Sequence, residues 1–202
     1  MTRIVSVVEG HGEVAALPLL LRRMAEWRTP GSYVDVQRPI RVSRDRFLNR
    51  QEEFERHIQF AGSKCGDGGW LLVLLDADDG CPAQIGPATL ERARGILPNH
   101  SISVVFANRE FEAWFIGAAE SLNGERGLVV TPGDLEINPE IPRDAKGWLG
   151  ARMGRTGYGE TTDQPAFASR MSLQQAVDRC PSFQKLCREW DRHFCASLKQ
   201  GL

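Results

Sequence analysis

Three things are missing from this chain: a large net charge, an apolar run long enough to cross a membrane, and cysteines spaced in pairs. With a formal charge of −1, nothing global draws it to nucleic acid, so polyanion binding must come from a local basic patch or a bridging cation. The longest apolar stretches fall well short of the ~20 residues of a membrane span, and Ile4–Val8 is too short for a signal peptide. The five cysteines, Cys65, Cys81, Cys180, Cys187 and Cys195, are odd in number and contain no C-x-x-C. That spacing argues against a disulfide framework or a zinc knuckle and for a reducing compartment. A soluble, cytoplasmic protein is the expectation. Internal repeats and low-complexity tracts are absent as well.

What is present is an ordinary globular composition, 42% hydrophobic and 25% charged over 202 residues, enough for one domain with a small appendage. The most informative stretch is Trp70-Leu-Leu-Val-Leu-Leu-Asp-Ala-Asp-Asp-Gly80. Its apolar run reads as a strand buried on both faces, as in a parallel sheet. It ends abruptly in Asp76, Asp78 and Asp79. Ile4–Val8 reads as a first strand, broken by Glu9-Gly-His-Gly-Glu13. Leu17, Leu20, Leu21, Met24 and Trp27 follow helical spacing, with Arg22, Arg23 and Glu26 outward and Pro18 placed in the first turn. Tyr33–Val42 contains Pro39 and reads as a weaker edge strand. Phe47, Gln51, Phe54, Ile58 and Ala61 mark a second helix. Cys81-Pro82 opens a third, carrying Ile85, Leu90, Ala93 and Leu97. Ile102–Ala107 is a further strand, after which Asn108 is read as the cap of a helix bearing Phe111, Trp114, Phe115 and Ala118.

This alternation of strands and helices predicts an α/β fold, a Rossmann-like three-layer sandwich with a mainly parallel sheet. Residues 1–119 form its core. Residues 120–202 make a C-terminal helical or irregular arm with a closing helix packed on the core. Within the arm, Thr161-Thr-Asp-Gln164 and Ser172-Leu-Gln-Gln175 match capping boxes, and Phe183, Leu186, Cys187, Trp190, Phe194 and Leu198 lie on one helical face.

If the first strand and Trp70–Leu75 are parallel neighbours, Glu9 meets Asp76 and Asp78 at one rim, where open α/β sheets bind ligands. Crowded carboxylates there are costly unless a cation offsets them, which points to a divalent metal. The blander account is a solvated turn with an aspartate capping the next helix. Glu13 and Glu112 are second-tier ligands, and each is also explained as an acid favoured by a helix N-terminus. His11 is a candidate ligand or base, or simply a loop histidine. Gly10-His-Gly12 lacks the spacing of a phosphate loop. Lys146 and Arg143, and after them Arg152 and Arg155, are candidate phosphate contacts.

Glu9 followed by glycine, with Asp76-Ala-Asp78 after a later apolar strand, resembles the Toprim domain of topoisomerases, primases and OLD-family nucleases. The longer pattern, Val8-Glu-Gly-His-Gly-Glu13 with Asp76-Ala-Asp-Asp79 and Arg109-Glu-Phe-Glu-Ala-Trp114, resembles a Toprim-like bacterial group, DUF4276. The resemblance implies a Toprim-like core over residues 1–119 and Mg²⁺ (or Mn²⁺)-dependent phosphodiester cleavage or transfer on nucleic acid. Glu9, Asp76 and Asp78 would be catalytic, and together with Asp79, Glu13 and Glu112 would hold the metal. An ATPase partner in phage defence is a further implication by analogy. Tyr33 and Tyr158 are the only tyrosines, and no second domain supplies another, so strand passage is not expected. A non-catalytic module regulating a partner ATPase, and a small-molecule phosphohydrolase, are the alternatives.

Overall fold

The computed structural model describes residues 1–154 and 157–199, with side chains as far as residue 194. Arg155 therefore lies outside the described residues, and Leu198 outside the described side chains. Five parallel strands form one sheet: β1 (Thr2–Val8), β2 (Val34–Val36), β3 (Ile40–Arg41), β4 (Trp70–Asp76) and β5 (Ser101–Ala107). β1 pairs with β4, and β4 with β5. On its other side β1 carries β2 along its first residues and β3 along its last. The expected edge strand over residues 33–42 is thus split in two. Pro39 lies in the gap, consistent with the N–H it cannot give to a ladder.

The period-two alternation along the strands sorts their side chains into two cores. Ile4, Val8, Trp70, Leu72, Leu74 and Val105 face one layer, formed by α1 (His11–Arg28), α5 (Ala113–Gly117), α6 (Ala119–Leu122), α8 (Ala145–Arg152), α9 (Glu160–Arg170), α10 (Leu173–Arg179) and α11 (Pro181–Lys199). Val5, Val7, Leu71, Val73, Leu75 and Phe106 face the other layer, α2 (Arg44–Asn49), α3 (Gln51–Cys65) and α4 (Pro82–Ile96). Every residue of β4 is buried, and each of its aliphatic side chains is worth roughly 1.5–3 kcal/mol relative to exposure. This is the α/β three-layer arrangement expected of a Rossmann-like sandwich. Residues 120–199 add mostly short helices, among them α7 (Pro132–Glu136), and contribute Phe167, Met171, Phe183 and Trp190 to the first core.

Four local expectations are corrected. α1 begins at His11, so Pro18 sits inside the helix and not in its first turn. Arg23 is not simply outward: it donates to the Ala168 and Met171 carbonyls (2.9 and 2.8 Å), tying α1 to the C-terminal end of α9. Asn108 caps nothing. Its amide donates to Glu140 (3.1 Å), and Glu112 is the residue that precedes α5. α9 starts at Glu160, so Thr161 lies within it, whereas Ser172 does cap α10 by accepting from the Gln175 N–H. Among the described residues no helix is long and apolar enough to cross a membrane.

The strand order turns in opposite directions on leaving β1: toward β2 and β3 on one side, toward β4 and β5 on the other. The crevice beyond the carboxyl ends of β1 and β4 is the topological switch point, where folds of this class bind ligands. Both acidic segments of the sequence end there.

Candidate functional site

Asp76 is the last residue of β4 and is almost wholly buried. Its Oδ1 accepts the Phe111 N–H (2.8 Å), which ties the end of β4 to the segment that follows β5. Burial, with Glu13 and Glu112 nearby, holds its carboxyl well above the ordinary aspartate range. Glu13 lies in the first turn of α1, 3% exposed. Its Oε2 accepts the Gly10 and Glu9 N–H groups (2.7 and 3.0 Å), so it closes the N-terminus of α1 as a capping-box acid does. Burial nevertheless lifts it to about 6, against those stabilising N–H donors.

Glu112 is fully buried, and burial raises its carboxyl to about 7. Oε1 accepts the Tyr158 hydroxyl (3.1 Å), while Oε2 has no hydrogen-bond partner. An orphaned, buried carboxylate oxygen is costly and points to a missing cation, proton or donor. Lys146, at the start of α8, stands among these acids. Burial works against its charge, but Glu112, Glu160 and Asp76 outweigh that and hold the ammonium above its ordinary range. Lys146 also approaches Glu160 at 3.6 Å, and its backbone N–H donates to Glu110 (3.1 Å).

The other predicted acids stand apart from this inner group. The strand ends at Asp76, and Asp78 takes a positive φ of 50° that turns it outward. Its carboxylate pairs with Arg44 at 3.1 Å, and the same guanidinium donates to the Asp76 and Ala77 carbonyls (2.6 and 3.1 Å). Asp79 is exposed and held by Arg109 at 2.6 Å and Arg143 at 3.3 Å. Arg109 itself has φ 67°, an unfavourable backbone for a non-glycine residue. Glu9 is half-buried between the two groups. Burial first and then Asp78 raise its carboxyl, while Arg44 and Lys146 pull it down. The structure therefore gathers Glu13, Asp76, Glu112 and Lys146 inside, with Glu9 bridging to an outer ring of Asp78, Asp79, Arg44, Arg109 and Arg143.

His11 is exposed, and Arg152 is paired with Asp134 and stacked on Trp148. A phosphate loop at the start of α1 finds no support, because Gly12 serves helix packing. A Cβ there would fall 1.8 Å from Gln164 Oε1 and 2.6 Å from the Glu160 carbonyl. Glu160 was missed in the sequence. It lies 148 residues from Gly12, whose N–H it accepts at 3.4 Å, and no local pattern announces such a contact. Tyr158 is found as a direct partner of Glu112 and is stacked on Phe167.

Among the described residues no group of three or more His, Cys, Asp and Glu side chains stands ready to hold a metal ion. The donors nevertheless fit Mg²⁺ in kind. They are carboxylate oxygens, one of them orphaned, and Mg²⁺ commonly takes only one or two protein carboxylates and keeps its waters. Comparison with curated proteins and with solved structures gives no match. The model of a domain of unknown function (DUF4276) does match, over residues 8–190, a span holding every residue of this rim, and the chain belongs to that family.

Proposed function

We propose that the switch-point crevice is a Mg²⁺- or Mn²⁺-dependent phosphodiester site, acting on nucleic acid by cleavage or transfer. The observation that carries this reading is the convergence of Asp76, Glu13 and Glu112 at the carboxyl ends of β1 and β4, all with raised carboxyls. Asp76 with Glu112 or Glu13 would supply the one or two carboxylates such an ion takes, with Glu9 and Asp78 at its outer side. When bound, the ion supplies Lewis-acid polarisation of a phosphoryl oxygen and offsets leaving-group charge. Lys146 and the exposed Arg143 are the residues that would meet phosphate oxygens, Lys146 exchanging its present carboxylate partners for them. Glu9, half-buried and with a raised carboxyl, would take or give a proton at the rim. The relation to Toprim nucleases and an ATPase partner in phage defence belong to this proposal and rest on the motif resemblance.

One observation favours a second reading. Lys146 already neutralises part of the acidic group, as it would in a non-catalytic module that regulates a partner. Incubating the purified chain with plasmid DNA, RNA and bis(p-nitrophenyl) phosphate, with Mg²⁺, Mn²⁺ or chelator, separates the two. Metal-dependent cleavage of a polymer that Asp76→Asn abolishes supports the first reading. Turnover of the small ester alone redirects it to a small-molecule phosphohydrolase. Inertness toward all three substrates overturns it in favour of the module.

A further inference from the structure

β5 ends the sheet. β4 pairs along one side of it, and among the described residues no strand lies on the other. The Ala107 carbonyl accepts from the Ala77 N–H (2.9 Å), which sets the alternation of the backbone. Residues 103, 105 and 107 turn their N–H and C=O groups to β4, and Ile102, Val104 and Phe106 turn theirs outward. No backbone partner meets those outward groups among the described residues. The strand reads Ser-Ile-Ser-Val-Val-Phe-Ala, without a proline, a glycine or a charge. The strand thus carries none of the sequence devices that keep an edge from pairing, although its residues 102–107 are buried among their neighbours. The opposite edge has them: it is broken between β2 and β3 and carries Asp35, Pro39 and Arg41.

Two cavities border this unpaired edge and give room beside its buried residues. One of about 440 Å³ lies beside Val104, Phe106 and Asn108, and one of about 370 Å³ beside Ser101, Ile102 and Ser103. α4 walls them from one face of the sheet and α11 from the other. The first cavity is mainly apolar, with Pro87 and Leu90 in its wall. The rim is basic: Arg94, Lys185, Arg188 and Arg192 line it. The acids inside are already engaged. Glu140 accepts from the Ser182 N–H and hydroxyl and from Asn108, and Glu189 from Ser103, Lys185 and Arg192. Lys185 and Arg192 are thus held by Glu189, and Arg94 and Arg188, both exposed, are the rim charges left for an outside partner.

We infer that the β5 edge is a docking trough for an extended acidic peptide segment of a partner protein, which adds a sixth strand to the sheet. Backbone pairing with Ile102, Val104 and Phe106 gives affinity, and alternate apolar side chains enter the cavity beside Phe106. The intervening acidic side chains meet the arginines of the rim. A second copy of this chain fits less well, because two basic rims would be brought together. Nucleic acid would satisfy the rim but leave the outward amides and the apolar cavity without partners.

Selection of random decapeptides displayed on phage against the whole chain tests this. The expected result is enrichment of sequences alternating β-branched and acidic residues. A winning peptide should slow hydrogen exchange at the Ile102, Val104 and Phe106 amides. Its affinity should fall about tenfold or more, the size expected when two rim charges are reversed, in Arg94→Glu combined with Arg188→Glu. Both are exposed positions, where the fold is expected to survive, as circular dichroism would check. N-methylation of alternate peptide amides should abolish binding. No enrichment, equal binding of the N-methylated peptide, or protection of those amides by single-stranded DNA or by self-association instead would each overturn the inference.

Discussion

The carboxylates of one short segment meet opposite fates. Asp76 is buried at the end of β4, beside Glu13 and Glu112, and its charge is opposed by its surroundings. Asp78 and Asp79, two and three residues on, are exposed and held by Arg44, Arg109 and Arg143. Burial holds the inner acids toward their protonated form, whereas the outer acids are paired with arginine. Proximity in sequence says little about which carboxylate is available to a metal. Burial and the nearest guanidinium decide it.

The contrast breaks most sharply if Asp76 is replaced. Asp76→Asn keeps an oxygen for the Phe111 N–H but removes the ligand charge, so metal-dependent turnover should fall by on the order of a hundredfold or more. Thermal unfolding at pH 8 should show the variant at least as stable as the parent; an unfolded variant would mean the carboxylate is structural. Lys146→Met removes the inner counter-charge. Breaking a buried pair typically costs about 3–5 kcal/mol, but Lys146 is 37% exposed, so a loss of about 1–2 kcal/mol is expected in urea unfolding after allowing for solvent screening. Saturating Mg²⁺ should restore much of that loss.

Stability against pH sharpens the same distinction. The folded carboxyls of Glu13 and Glu112 lie at about 6 and about 7, above the ordinary 4.5. Between those limits the folded chain binds more protons than the unfolded one, so these acids make stability fall as pH rises from about 4.5 to 7 and level off beyond. Urea midpoints measured across that range should show the fall, and Glu112→Gln should flatten it. The smallest effect belongs to the outer ring. Asp79→Asn breaks exposed ion pairs and should change stability by less than about 1 kcal/mol, with the metal titration unchanged.

Much of the fold is legible in the residues. The unbroken apolar run of β4 announces a strand covered on both faces, and the break after Val8 together with the acids after Leu75 places the rim. Helix starts were harder, since Pro18 suggested a first turn seven residues too late. For the site, Glu9, Glu13, Asp76 and Glu112 could be named from sequence because each follows a strand or opens a helix. Asp78 stands apart from Asp76 for a physical reason. An Asp-x-Asp spacing puts both acids on one face only while the chain stays extended, and the backbone turns at Asp78. The roles of Glu160 and Tyr158 depend on α9 packing against α1 and on a residue 46 positions from Glu112, contacts that no local pattern encodes.

Isothermal titration of the parent chain with Mg²⁺ and with Mn²⁺ at pH 7.5, in two buffers of different ionisation enthalpy, tests the central claim most directly. The account predicts saturable binding that releases protons, because the metal takes the place of protons on the raised carboxyls, and it predicts that Asp76→Asn abolishes the heat. Absence of binding by the parent, or binding that the variant retains in full, would contradict it.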